Sequence, residues 1–397
     1  MNIFAQDGYG PGGKLKQALD GGFVGGVVLS PRYSRPDKLH ERVAELRGEA
    51  RTLLMDPEYY ATDVISNPNA NCGSLEEWNY FRRPSRSRLI SGTAIPEVIR
   101  GAVQAQSDAG LESFIAPNLF IRQADSIDTG IAINFLNQTK AAASEVTNGP
   151  VYGTLAIHRD AILSGNQFLE ILDDLTGMDS PPDGYYLILG SSEQNSSGRF
   201  VRSDLSNARV IAAWMYANYV LSINGAKLIN GYCFLLGPLM GVCGANAAAS
   251  GWSSGLRKFC FDRYIRSAAS GGRSPNTRYL SAPLMAHIKQ TDLDTFESIR
   301  PGIRNGLSLD GAYDTDVSRT DEALQSWEGL ERMGNHPSFS GDILKDLTIF
   351  RGLIEDARSR WITIQSAGIS SEVEPNLERL QAMEEGIEIF TQWAELG

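Results

Sequence analysis

An α/β fold of the (β/α)8 TIM-barrel type is what this sequence predicts, and three observations predict it. Short apolar runs alternate with stretches of helical periodicity from Phe23 to Leu284. Most runs close on Pro, Gly, Ser or a charged residue, the punctuation of a strand feeding a turn. Glycine supplies 40 of the 397 residues, above the usual ~7 %, as many tight strand-to-helix turns require.

Phe23 to Leu29 (FVGGVVL) is continuously apolar and ends in Ser30-Pro31-Arg32, which suits a strand buried on both faces. Asp37 to Leu46 follows with helical spacing. Arg51 to Met55 gives the next strand, stopped by Asp56-Pro57 because proline cannot donate to a ladder. From Glu58 to Ile95 the alternation breaks into a long loop insertion carrying Tyr59, Tyr60, Trp78, Tyr80 and Phe81 with a basic cluster at Arg82, Arg83, Arg86 and Arg88. Connections of that length inside a compact fold are usually lids or binding loops. Pro96 near a start and Gly110 past an end then bracket a helix.

Leu111 to Ala116 is a third strand, closed by Pro117-Asn118, and Ser126 to Val146 is helical. Val151 to Ile157 runs as a strand into His158-Arg159-Asp160, and Asn166 to Leu175 is a helix. Tyr185 to Leu189 is a strand leading to Gly190-Ser191-Ser192-Glu193, and Leu205 to Leu221 a strong helix. Between Ala226 and Gly251 lie a short strand, a compact helix and a strand of small residues from Ala245. Arg278 to Leu284 is expected to be the eighth strand. The organisation read from this pattern is a barrel over residues 1–290, with the insertion at 58–95, and a helical C-terminal extension over 291–397. In that extension Asp342 to Trp361 and Glu374 to Leu396 have the apolar spacing of amphipathic helices.

A formal net charge of −11 argues against a broad phosphate-binding surface while leaving room for a local basic pocket. The four cysteines, Cys72, Cys233, Cys243 and Cys260, form no C-x-x-C pair and point to a reducing compartment. The N-terminal stretch lacks a basic segment followed by an apolar core, and no apolar run has the length of a membrane span. A soluble cytoplasmic protein with no membrane partner is expected.

In a (β/α)8 barrel, chemistry sits at the carboxyl ends of the strands. That rule selects Asp56, His158 and Glu193 as acid–base candidates. It selects Arg32, Asn118, Arg159, Ser253, Ser254, Arg257 and Lys258 as substrate- or anion-binding candidates. Asp56 follows an apolar strand directly, His158 is one of only four histidines, and the 250–258 turn joins free backbone N–H groups to two cations, with Arg273 and Arg278 beyond it. The bland readings are a loop-capping aspartate, a histidine bonded to a carbonyl, and a tight turn whose cations are solvated. Gly251-Trp252-Ser253-Ser254-Gly255 also matches the G-x-S-x-G nucleophile elbow, a match that five Gly- and Ser-rich residues reach easily by chance. Gly8-Tyr9-Gly10-Pro11-Gly12-Gly13 matches G-x-G-x-x-G, but no strand is expected before it, so it is assigned to a cap on the barrel floor. No cofactor is expected: histidines and clustered cysteines are too few for zinc or iron–sulfur sites, although a carboxylate-held Mg²⁺ is compatible with the sequence.

Leu54-Met55-Asp56 at a strand end resembles the strand-end aspartate of the queuine-type base-exchanging glycosyltransferases. The nucleophile-bearing stretch and the zinc-binding cysteine cluster of that family have no matching positions, so its activity is not carried over. The leading expectation is an enzyme acting on a small anionic, nucleotide-like or sugar-phosphate-like substrate, with transfer or cleavage of a glycosidic bond preferred. The alternative is a non-catalytic barrel subunit that docks a protein or nucleic-acid partner through residues 58–88 and the C-terminal helices.

Overall fold

A computed structural model describes residues 1–10, 13–191, 206–266, 276–369 and 372–396. Eight parallel strands form a nearly closed barrel: Asn2–Gln6, Gly26–Leu29, Thr52–Met55, Phe114–Ile115, Val151–His158, Gly184–Ser191, Lys227–Gly231 and Ala247–Ser250. They follow one another around the barrel in chain order, and the eighth pairs back onto the first, with Ile3 opposite Ala248 and Ala5 opposite Ser250. The open seam lies between the third and fourth strands, which are neighbours without a pairing ladder among the described residues. Two sequence features account for the seam. Pro57 ends the third strand, and the fourth is only two residues long.

The predicted barrel is therefore present, with two corrections. The first barrel strand is the N-terminal Asn2–Gln6, so the glycine-rich stretch that begins at Gly8 leaves a strand at the barrel mouth instead of capping its floor. NIFAQ is too short for a visible alternation, yet Ile3, Phe4 and Ala5 are all buried. Arg278–Ser281 is not a barrel strand; it pairs antiparallel with Ala286–Lys289 in a separate hairpin. The long insertion consequently follows the third barrel strand, where the sequence had placed it after the second.

Helices cover the barrel. Their bounds fall close to the sequence periodicities: Pro36–Leu46, Ile95–Asp108, Ile127–Ala143, Asn166–Thr176 and Ala208–Ile223. The barrel strands themselves read as continuous apolar runs because both faces are covered, and in Gly184–Ser191 every residue is buried. After the hairpin come Gln290–Ile299, Arg319–Gly334, Ile343–Ser366 and Val373–Trp393. These share one hydrophobic core with the barrel: Trp327 and Trp361 are both fully buried, and the Trp327 indole N–H donates to Ser250 O at 2.7 Å, at the end of the eighth strand. No helix among the described residues is long and apolar enough to cross a membrane.

Candidate active site at the barrel mouth

The carboxyl ends of the strands converge on a buried polar cluster. Gln6 and Asp7 end the first strand, Ser30 the second and Asp56 the third, while Tyr232 follows the seventh and Ser250 ends the eighth. All are at most 2 % exposed. Asp56 was legible from the sequence; its partner Glu58, two residues on, was not. The two are linked by the Glu58 backbone N–H, which donates to Asp56 Oδ1 at 2.9 Å. Tyr60 donates its hydroxyl to Asp56 Oδ2 at 2.7 Å. Glu58 accepts from Ser30 Oγ on one oxygen and from the Tyr264 hydroxyl on the other.

The electrostatics separate the acids. Burial, reinforced by the facing charge of Glu58, pushes the Asp56 carboxyl up to about 7, so it holds its proton near neutrality. Burial also raises Asp7 to about 6, against the pull of Arg42, whose Nη2 donates to Asp7 Oδ1 at 3.0 Å. Burial opposes the charge of Arg263, and the nearby Glu58 favours it. Tyr60, Tyr186, Tyr232 and Tyr264 are driven upward by burial and stay neutral.

Two observations mark this cluster as more than packing. Glu58 (φ 48°) and Tyr232 (φ 55°) both occupy the left-handed region, which costs a side-chain-bearing residue roughly 1–2 kcal/mol and concentrates at functional sites. Four buried polar atoms at the strand ends, Gln6 Nε2, Asp7 Oδ2, Tyr232 OH and Ser250 Oγ, find no hydrogen-bond partner among the described residues. Native interiors leave few such groups, and each calls for an explanation.

A lid closes the mouth. The insertion winds through Tyr59–Val64 and Gly73–Glu77 as 3-10 turns, and its aromatic residues point inward. Trp78 donates to Ser34 O at 3.1 Å and Tyr80 to Pro57 O at 3.0 Å. The 259–266 segment meets the insertion from the other side. Asn71 N donates to Tyr264 O and Arg266 N to Asn69 O, both at 2.7 Å, around an antiparallel bridge between Ala70 and Ile265. Arg32 anchors the junction by donating to Asn71 O and Arg263 O at 2.9 and 2.7 Å beneath the Tyr264 ring.

The other sequence candidates are dispersed. Asn118 is buried and fully engaged, donating to Ala132 O and Thr154 O and accepting from Leu119 N. His158 stands on the rim, where its Nδ1 accepts from Asp160 N at 3.2 Å and its ring meets the Phe120 edge; Arg159 pairs with Asp160. Glu193 and Arg273 lie outside the described residues. The 250–258 turn opens onto a single helical turn, Ser254–Arg257, and then an extended Phe259–Cys260 that pairs with the end of the sixth strand, instead of the longer helix expected. Ser253 and Ser254 are exposed there, while Arg257 and Lys258 line a cleft outside the barrel mouth. The sequence missed Asp7, Glu58, Tyr232, Tyr264 and Arg263. Only Asp7 had a sequence signal, as the first charged residue after a strand that itself went unrecognised.

Gly251 makes this turn sterically obligatory, because an added Cβ would sit 2.4 Å from Leu256 Cβ and 2.7 Å from Gln6 O. A Gly251→Ala variant is expected to lose about 1–3 kcal/mol in urea unfolding, the usual cost of overpacking. An unchanged midpoint would show that the turn relaxes freely.

No family model matches the chain, and no curated protein matches it. Among solved structures it is similar to a glycosyl hydrolase of the GH3 family from Mycobacterium smegmatis, at 12 % identity and a TM-score of 0.36 over 62 % of this chain and 82 % of that one. The barrel assignment rests on the strand order and pairing of this chain alone.

Proposed function

We propose that the chain is a barrel enzyme that transfers or cleaves a glycosidic bond in a small anionic, nucleotide-like or sugar-phosphate-like substrate. Asp56 serves as general acid and Glu58 as the facing base or nucleophile. One observation carries the reading: a proton-holding carboxyl and a second carboxyl group bound by two hydroxyl donors sit two residues apart at a strand end, beside orphaned polar atoms of three other strands. A division of labour between two carboxyl groups is the machinery of glycosidic chemistry. Arg257 and Arg278, which line the neighbouring cleft, supply the anionic preference. His158 on the rim is assigned proton exchange with solvent.

The alternative of a partner-docking barrel draws less support from the insertion. Tyr59, Tyr60, Trp78, Tyr80 and Phe81 are buried, so their rings are not presented for stacking. Arg83, Arg86 and Arg88 pair with Asp63, Asp128 and Glu97 of the same chain.

The test is a turnover screen of the full chain against nucleosides, nucleotides, sugar phosphates and aryl glycosides, read by release of the base or aglycone. One class is expected to react, with a rate that falls as pH rises through about 7, because the Asp56 proton is then lost. No turnover of any class would sink the reading. A rate that instead increases through pH 7 would overturn the role of Asp56 as acid.

A further inference from the structure

A cleft of about 530 Å³ lies between the loops after the seventh and eighth strands, the Arg278–Lys289 hairpin and the last helix. Arg257, Lys258, Arg278 and Arg379 line it, against a single lining carboxylate, Glu372. Its Oε1 is engaged, 3.4 Å from Arg278 Nη2 and 3.2 Å from Lys289 Nζ, while its Oε2 is buried without a hydrogen-bond partner among the described residues. Glu322 stands behind the cleft, 3.7 Å from Arg257 Nη2 and 3.9 Å from His287 Nε2.

His287 adds no charge. Arg257 Nη1 lies 2.9 Å from His287 Nδ1, and a guanidinium only donates, so Nδ1 accepts and the ring proton sits on Nε2. Burial and the charges of Arg257 and Arg278 hold this imidazole well below its ordinary pKa.

Arg379 is the decisive residue. Its Nη2 donates to Met285 O, a carbonyl presented by a left-handed residue (φ 46°), and its Nε has no hydrogen-bond partner among the described residues. Burial drops its pKa to about 10. A guanidinium with a buried donor left unpaired is costly, and an anion entering the cleft would offset that cost. The remaining wall is apolar: Phe234, Leu235, Leu236 and Pro375, with Arg257 over the Phe234 ring at 5.0 Å.

We propose that this cleft binds a phosphate monoester, the phosphate on Arg379, Arg278 and Lys258 and the organic part on the Phe234 wall. This deepens the anionic part of the function proposed above, and it stands without the glycosidic chemistry. The contributing segments come from the barrel loops, the hairpin and the last helix, so an occupied cleft would also tie those parts together.

Calorimetric titration of the full chain with phenyl phosphate, glucose 6-phosphate, inorganic phosphate and phenol tests the proposal. Saturable binding of phenyl phosphate is expected, with inorganic phosphate weaker and phenol undetectable. A tighter response to glucose 6-phosphate than to phenyl phosphate would still place a monoester in the cleft and identify its organic part as a sugar. Arg379→Gln is expected to weaken the preferred ester about tenfold or more, the loss of one charge-assisted contact. Arg278→Gln, at a side chain 36 % exposed, should weaken it as well and guards against misfolding of the first variant. No saturable binding of either ester, phenol binding as tightly as phenyl phosphate, or affinity unchanged in both variants would overturn the site. Asp56→Asn should leave ester binding intact, so a failure of the barrel chemistry and a failure of this cleft give different results.

Discussion

Replacing Asp56 by asparagine is expected to lower glycosidic turnover by about 10²–10⁴-fold, the contribution of a positioned general acid. The substitution is nearly isosteric. The amide oxygen still accepts from Glu58 N, and the amide nitrogen donates to the Tyr60 hydroxyl in place of the bond now running the other way. What disappears is the proton to be transferred. The same variant has a signature that does not depend on knowing the substrate. The Asp56 carboxyl is raised from 3.8 to about 7 in the folded protein, chiefly by burial and then by Glu58. Between those limits the folded state binds the proton more tightly than the unfolded state, so stability falls as pH rises from about 4 to about 7 and levels off above. Asp7, raised to about 6, acts in the same direction over a narrower window. Wild type minus Asp56→Asn should therefore show a stability difference, on the order of a few kcal/mol, that grows against wild type across this window. Urea unfolding at pH 5 and pH 8 measures it. A pH-independent difference would mean that Asp56 is ionised in the fold, and would remove it as the acid.

Trp327→Ala is expected to destabilise the protein by about 3–5 kcal/mol and to do so in a single transition. Trp327 sits on the Arg319–Gly334 helix, fully buried, with its ring edge-on to Trp252 and its indole N–H on the carbonyl of Ser250. Truncation opens a cavity between the C-terminal extension and the last barrel strand. It also removes a hydrogen bond to the buried Ser250 carbonyl, a loss separate from the lost area. Trp327→Phe keeps most of the packing and should cost about 1 kcal/mol, the net worth of the hydrogen bond. Two resolved transitions, with the barrel unaffected, would instead show that the 291–397 helices fold as their own unit.

The alternation of apolar runs and helical periods was enough to specify a parallel barrel, because strands covered on both faces must be apolar throughout. It also placed Asp56 at a strand end and singled out Arg257 and Lys258, which line a cleft outside the barrel mouth. Counting to eight succeeded by a compensation of errors. Asn2–Gln6 is buried by its neighbours more than by its own composition, and Arg278–Ser281 has strand-like residues but pairs with its own hairpin partner.

The remainder of the site depends on contacts between distant parts of the chain. Glu58 follows a proline and reads as a loop acid. Only its left-handed backbone and the hydroxyls of Ser30 and Tyr264 turn it into the companion of Asp56. Arg379 reads as one more polar residue on an amphipathic helix, and the packing of that helix against the hairpin makes it a half-buried cation whose Nε has no hydrogen-bond partner among the described residues. Local pattern determined which segments bury their faces, since hydrophobic periodicity is written in neighbouring residues. Tertiary structure decided which polar groups lose their water together, and desolvation in company is what gives a carboxyl or a guanidinium its chemistry.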